Sequence, residues 1–199
     1  MNKIYIFFVI FFIGCNKSND SDLSFSLNED FKNYWFDGNA EISSYNLNQS
    51  RYGSIRKGSA VLIYVTEDFL PEKQVKANKK SKYTHNILKL NRIKKFLTGI
   101  YPYSVMTSVF SRLGKNMPLI KTSTSIQEWC GQTYLQINRR KALEINSHSY
   151  FEGEADEMFN LKNDLTEEEL WAWIRIQPKI LPQGKKELLP SLEYLRMNH

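Results

Sequence analysis

Ala60-Val61-Leu62-Ile63-Tyr64-Val65-Thr66 decides how this chain is read. The run is β-branched and aromatic and too short for a typical helix, so it predicts a central strand. Upstream, Ala40 to Gln49 reads as an extended strand, Arg51-Tyr52-Gly53-Ser54 as its turn, and Lys57-Gly58-Ser59 as the lead into the central run. Downstream, Glu67-Asp68 closes the strand and Pro71 to Tyr83 reads as a loop. Ile87 to Phe96 alternates in part. Gly99 to Tyr103 is a turn or strand edge, because Pro102 cannot donate to a ladder. Val105 to Phe110 is a further strand, broken by Gly114 to Pro118. Leu119 to Trp129 holds the β-like tract Thr122-Ser123-Thr124-Ser125, Gln132 to Asn138 pairs with Ala142 to Tyr150 across Arg139-Arg140-Lys141, and Leu188 to Leu195 reads as a last strand.

Helices are few. Thr166-Glu167-Glu168-Glu169 is a capping-box signature: a threonine N-cap with glutamate three residues on. Its glutamates fall in the first turn, where the helix dipole favours negative charge. Leu170, Trp173 and Ile174 share the apolar stripe, and Pro178 ends the helix. A shorter helical turn runs from Asn28 to Phe36. Together these segments predict a mainly β fold: an antiparallel curved sheet or half-open barrel with one or two short helices.

The chain has 199 residues, of which 42% are hydrophobic and 14% aromatic, a composition that excludes disorder. The formal charge is +6, which suits anionic lipid head groups. No feature points to nucleic acid. Met1-Asn2-Lys3, the uncharged run Ile4 to Ile13, then Gly14-Cys15 read as a secretory leader. The apolar run is shorter than the roughly 20 residues a membrane-spanning helix needs. Phe12-Ile13-Gly14-Cys15 resembles the bacterial lipobox, which implies cleavage before Cys15 and acylation of that cysteine. Residues 1–14 are then the leader, 15–27 a polar tether, and 28–199 one β-rich domain. Asn16 in place of aspartate favours the outer membrane over the inner, with the leaflet open.

Candidate site residues are sparse. Tyr101, Tyr103, Met106 and Trp129 are candidates to line an apolar ligand site on the sheet, and are equally explained as core. Lys73, Lys76, Lys79, Lys80 and Lys82 are candidates to meet an anionic surface, at about 1 kcal/mol per basic residue near charged lipid; a solvated loop explains them too. Cys130 stands alone once Cys15 is lipidated, and its strand-like surroundings predict burial. Cys130, His148 and Glu128 are the only candidates for a hydrolase. His85, His148 and His199 lack metal spacing. Glu152, Glu154, Asp156 and Glu157 read as a solvated acidic loop rather than a Ca²⁺ loop. Phosphate-binding glycine loops and the GxSxG elbow are missing, so no cofactor is predicted.

The blocks Trp35 to Tyr45, Arg51-Tyr52-Gly53, Thr98 to Ser108, Gln127-Glu128-Trp129-Cys130-Gly131 and Glu193-Tyr194-Leu195-Arg196 resemble a family of Bacteroidota lipoproteins, over most of the chain after the tether. Members often carry the label "septum formation inhibitor Maf". That label implies a nucleotide pyrophosphatase, but the Ser-x-Ser-Pro-Arg-Arg motif of those enzymes is missing and none of their catalytic residues carries over. Members continue past the position of His199, which implies a C-terminal truncation. The expectation is a lipid-anchored, non-enzymatic envelope protein that binds an amphiphile or an envelope partner protein, with an envelope hydrolase, or the Maf-type nucleotide pyrophosphatase that the label implies, as the alternatives.

Overall fold

The computed structural model describes residues 29–114, 118–162 and 165–194. The expected leader, Cys15 and the expected tether, and Leu195-Arg196 of the last resembling block, lie outside the described residues. The elements are α1 (Glu29–Trp35), β1 (Glu41–Arg51), β2 (Ser54–Leu70), β3 (Val75–Lys76), β4 (His85–Thr98), β5 (Tyr101–Arg112), β6 (Leu119–Glu128), β7 (Gly131–Arg139), β8 (Leu143–Ser149), β9 (Glu157–Leu161) and α2 (Glu167–Ile176), followed by one 3₁₀ turn at Pro178–Ile180.

All 9 strands form one antiparallel sheet. Strands β1, β2 and β4 to β9 follow one another as a meander, β3 pairs with the end of β2, and the two ends of the sheet do not meet. Hairpin chemistry explains this order. Tyr52 and Gly53, at φ of 53° and 66°, supply the two left-handed residues that a tight β1–β2 turn needs. Gly99, at φ 67°, does the same at the first position of the β4–β5 turn.

One face of the sheet is covered. Helix α2 and Trp35 of α1 pack on Tyr64, Leu88, Leu90, Val109 and Leu119. Beside them, Leu189 and Leu192 of the C-terminal segment cover Leu135, Ile137, Leu143 and Ile145. Among the described residues the opposite face is covered only at one end, where the β2–β4 connection brings Ala77 and Gln74 into burial near Phe69, Ile87 and Ile120.

Several elements differ from their sequence reading. Strand β2 runs 17 residues, through Gly58 and past Asp68. Gly58 is required in mid-strand: a Cβ there would sit 2.1 Å from the Lys95 carbonyl oxygen. The acidic loop after Tyr150 is shorter than expected, since Glu157–Leu161 forms β9 along the edge. Its residues are all exposed, so no burial pattern marks it as a strand. Leu188 to Leu195 is no strand in its described part; Leu189 makes a single parallel bridge to Thr166. Pro190 lacks the N–H that a ladder needs. Helix α2 also turns differently: Ile174 is 58% exposed, while Glu168 and Glu169 are buried.

Candidate functional site

Side-chain alternation along β2, β4 and β5 assigns each residue a face. Lys57, Ser59, Lys95, Leu97, Pro102 and Ser104 fall on the open face, where they line a groove of about 510 Å³ together with Gly58, Phe96 and Tyr103. Lys57, Lys95 and Leu97 are exposed. Next along the same face comes an apolar strip: Val61 pairs with Ile93, and Ile93 with Met106. The groove therefore has two ammonium groups at one end and an aliphatic continuation at the other.

The covered face at the same end carries an aromatic cluster. Phe96 and Tyr103 stack at 4.8 Å, Tyr101 lies 5.5 Å from Tyr103, and Trp129 lies 5.4 Å from Tyr101. Arg51, 2% exposed, donates to the hydroxyls of Tyr52 (3.3 Å) and Tyr103 (3.4 Å), which bond each other at 2.8 Å. Tyr101 donates to Glu128 at 3.3 Å, and its oxygen accepts the Cys130 backbone N–H at 2.7 Å. Desolvation, with the Cys130 side chain adding to it, pushes the Tyr101 phenol up to about 12. Burial and a hydrogen bond with Glu128 raise Tyr103 further. Both phenols stay neutral at any physiological pH and act as hydrogen-bonding groups, not bases.

Of the four predicted lining residues, the sheet thus brings Tyr101, Tyr103 and Trp129 together on the covered face. Met106 lies on the open face, beside the groove. Trp129 is 63% exposed and Tyr103 is core.

The densest polar cluster was not foreseen. Arg92, 4% exposed, is gripped between α2 and the C-terminal segment. It reaches Glu168 at 3.1 and 3.3 Å, Glu193 at 2.8 and 2.9 Å, and the Ser191 hydroxyl at 3.0 Å. Lys94 meets the second oxygen of Glu193 at 2.5 Å, and the Thr107 hydroxyl donates to Glu193 at 3.0 Å. Burial alone would raise the Glu193 carboxyl, but Arg92 and Lys94 outweigh it and hold it below the usual range. Each helix glutamate has a separate task. Glu167 accepts the Ser191 N–H at 3.0 Å, and Glu168 pairs with Arg92. Glu169 closes the capping box on Thr166 at 2.9 Å and binds Arg139 through two 3.0 Å bonds. The signal in the sequence was Arg92 itself, in register with Leu88 and Leu90 on an inward-facing strand pattern. A cavity of about 160 Å³ opens beside this cluster, lined in part by Gln49, Trp171 and Tyr194. With its charges mutually satisfied, the cluster clamps α2 and the C-terminal segment to the sheet.

Lys73, Lys76, Lys79, Lys80 and Lys82 sit on the β2–β4 connection, at the end of the sheet away from the groove. Lys76 reaches Glu67 at 3.3 Å, and Lys82 lies over the Tyr83 ring at 5.0 Å. Cys130 is exposed, not buried: it occupies a two-residue turn between β6 and β7 instead of a strand. His148 stacks near Tyr134, its register partner on β7 four residues along the chain from Cys130, and lies 3.3 Å from Asp156. The hydrolase candidates are therefore not assembled as a nucleophile and base. Among the described residues no three His, Cys, Asp or Glu side chains gather as a metal site, and no helix is long and apolar enough to cross a membrane.

Comparison with family models, with curated proteins and with solved structures finds no match for this chain.

Proposed function

We propose that this is a lipid-anchored, non-enzymatic protein of the bacterial cell envelope, held by acylated Cys15 in the outer membrane, which binds an anionic amphiphile in the open-face groove. The observation that carries the reading is the pairing of Lys57 and Lys95 with the apolar floor of Leu97 and Pro102 and the strip Val61, Ile93 and Met106. Fatty acids and lysophospholipids have that polarity. The resemblance to Bacteroidota lipoproteins and the leader that ends at Gly14-Cys15 support the address.

Native mass spectrometry of the chain in nonionic detergent, with added oleate, tests the binding. A one-to-one adduct is expected, weakened at least tenfold in Lys57→Glu/Lys95→Glu and in Met106→Asp. Equal binding by the parent and both variants refutes the groove. Mass spectrometry of the mature N-terminus tests the address separately: an unacylated chain that begins at Met1 refutes it.

A further inference from the structure

Every second turn of the meander lies at one end of the sheet: β1–β2, β4–β5, β6–β7 and β8–β9. The first three turns present large apolar side chains to solvent. Tyr52, Ile55, Leu97, Ile100 and Trp129 are between 56% and 83% exposed. The turns at the opposite end are cationic instead: Lys73, Lys79, Lys80 and Lys82 in one, Arg140-Lys141 in another.

The registers align the apolar tips. Gly58 pairs with Phe96, so Ser54 at the first turn lies two residues beyond the level of Thr98 at the second. Ser104 pairs with Gln127, so Tyr101 lies two residues beyond Glu128 at the third. Each hairpin therefore stops about 7 Å short of the one before, while hairpins stand about 10 Å apart across the sheet. The constant step staggers the tips evenly along one edge of the sheet.

We propose that this rim of hairpin tips dips into the head-group layer of a lipid bilayer. The residue types fit that occupant. Tryptophan and tyrosine favour the membrane–water boundary, and leucine and isoleucine enter it. A protein partner needs a contiguous face of about 800 Å² with packed pockets; these tips are separate points along an edge. Arg56, Lys57 and Lys95 flank them, where lipid phosphates would lie. The fourth turn carries Tyr150 beside Glu152 and Glu154 and stays outside the contact. The 13 residues between Cys15 and Glu29 can span about 45 Å, so the rim and a lipid anchor can engage the same bilayer.

The test reconstitutes the full chain into vesicles of brominated phosphatidylcholine and phosphatidylglycerol, with non-brominated vesicles as reference. Bromine quenches only indole rings that reach the lipid. Trp35, Trp171 and Trp173 pack against the core, so Trp129 is the tip reporter. Quenching is expected, to be abolished in Trp129→Phe and reduced in Leu97→Ser/Ile100→Ser. Quenching that persists in Trp129→Phe overturns the proposal. So does an absence of quenching in the vesicle-attached parent chain, which would leave the hairpin tips outside the lipid. The readout needs no bound amphiphile, so failure of the rim and failure of the groove are distinguishable.

Discussion

Arg92→Met removes the cation from a cluster sealed between β4, α2 and the C-terminal segment. Methionine keeps most of the length of the side chain, so the loss is one of charge and hydrogen bonds. Glu168 then keeps the 2.5 Å bond from Ser191, and Glu193 keeps Lys94 and Thr107. Removal of one partner of a buried pair costs about 3–5 kcal/mol, because the remaining charge stays desolvated. With a urea m-value of about 2 kcal/mol/M, the unfolding midpoint falls by roughly 1.5–2.5 M. Trp171, whose ring lies 4.8 Å beneath the Arg92 guanidinium, reports the transition by fluorescence. The double variant Arg92→Met/Glu168→Met removes one stranded carboxylate and should recover part of the loss. As a reference, Arg140→Ala breaks an exposed pair with Glu144 and should shift the midpoint by less than about 0.5 M, as surface pairs contribute about 0–1 kcal/mol. A midpoint change in Arg92→Met no larger than that of Arg140→Ala would refute the argument that this cluster clamps the fold.

The same cluster sets an acid limit. Arg92 and Lys94 hold the Glu193 carboxyl below its ordinary 4.5, so the unfolded chain binds more protons in that window. The contribution is whole above pH 4.5 and is lost as pH falls through the lower folded value. Urea midpoints measured from pH 7 to pH 3 should fall below pH 4.5, and Glu193→Gln should be less stable at pH 7 and flatter in acid. Gly58→Ala forces a Cβ to within 2.1 Å of the Lys95 carbonyl oxygen, and a thermal melt should show a loss of about 1–3 kcal/mol. Cys130 is exposed, so maleimide should label it in the native chain at nearly the rate seen in urea, as read by peptide mass spectrometry; protection would show that the β6–β7 turn is covered.

Much of the sheet was legible. Ala60 to Thr66, the Thr133 to Ser149 hairpin and the Thr166 capping box were all readable, because alternation, turn residues and caps are local signals that the backbone obeys within a few residues. The exposed β9 carried no such signal, and Pro190 removed the last expected strand from the ladder. The α2 stripe was misjudged because a glutamate counts as surface in any periodicity argument, and only a partner distant in sequence can make its burial favourable.

The sequence by itself determined the β class and the helix cap. Tertiary structure alone decided which face each strand presents to what. Met106 was separated from Tyr101, Tyr103 and Trp129 because odd and even positions of one strand point to opposite sides. Lys57 and Lys95 came to line one groove only when β2 and β4 paired, and three apolar turns came to share one edge only when registers stepped by a constant two residues. Arg92, Glu168 and Glu193 lie up to 101 residues apart. No local pattern links them, since the energy that joins them arises only when burial removes water from all three at once.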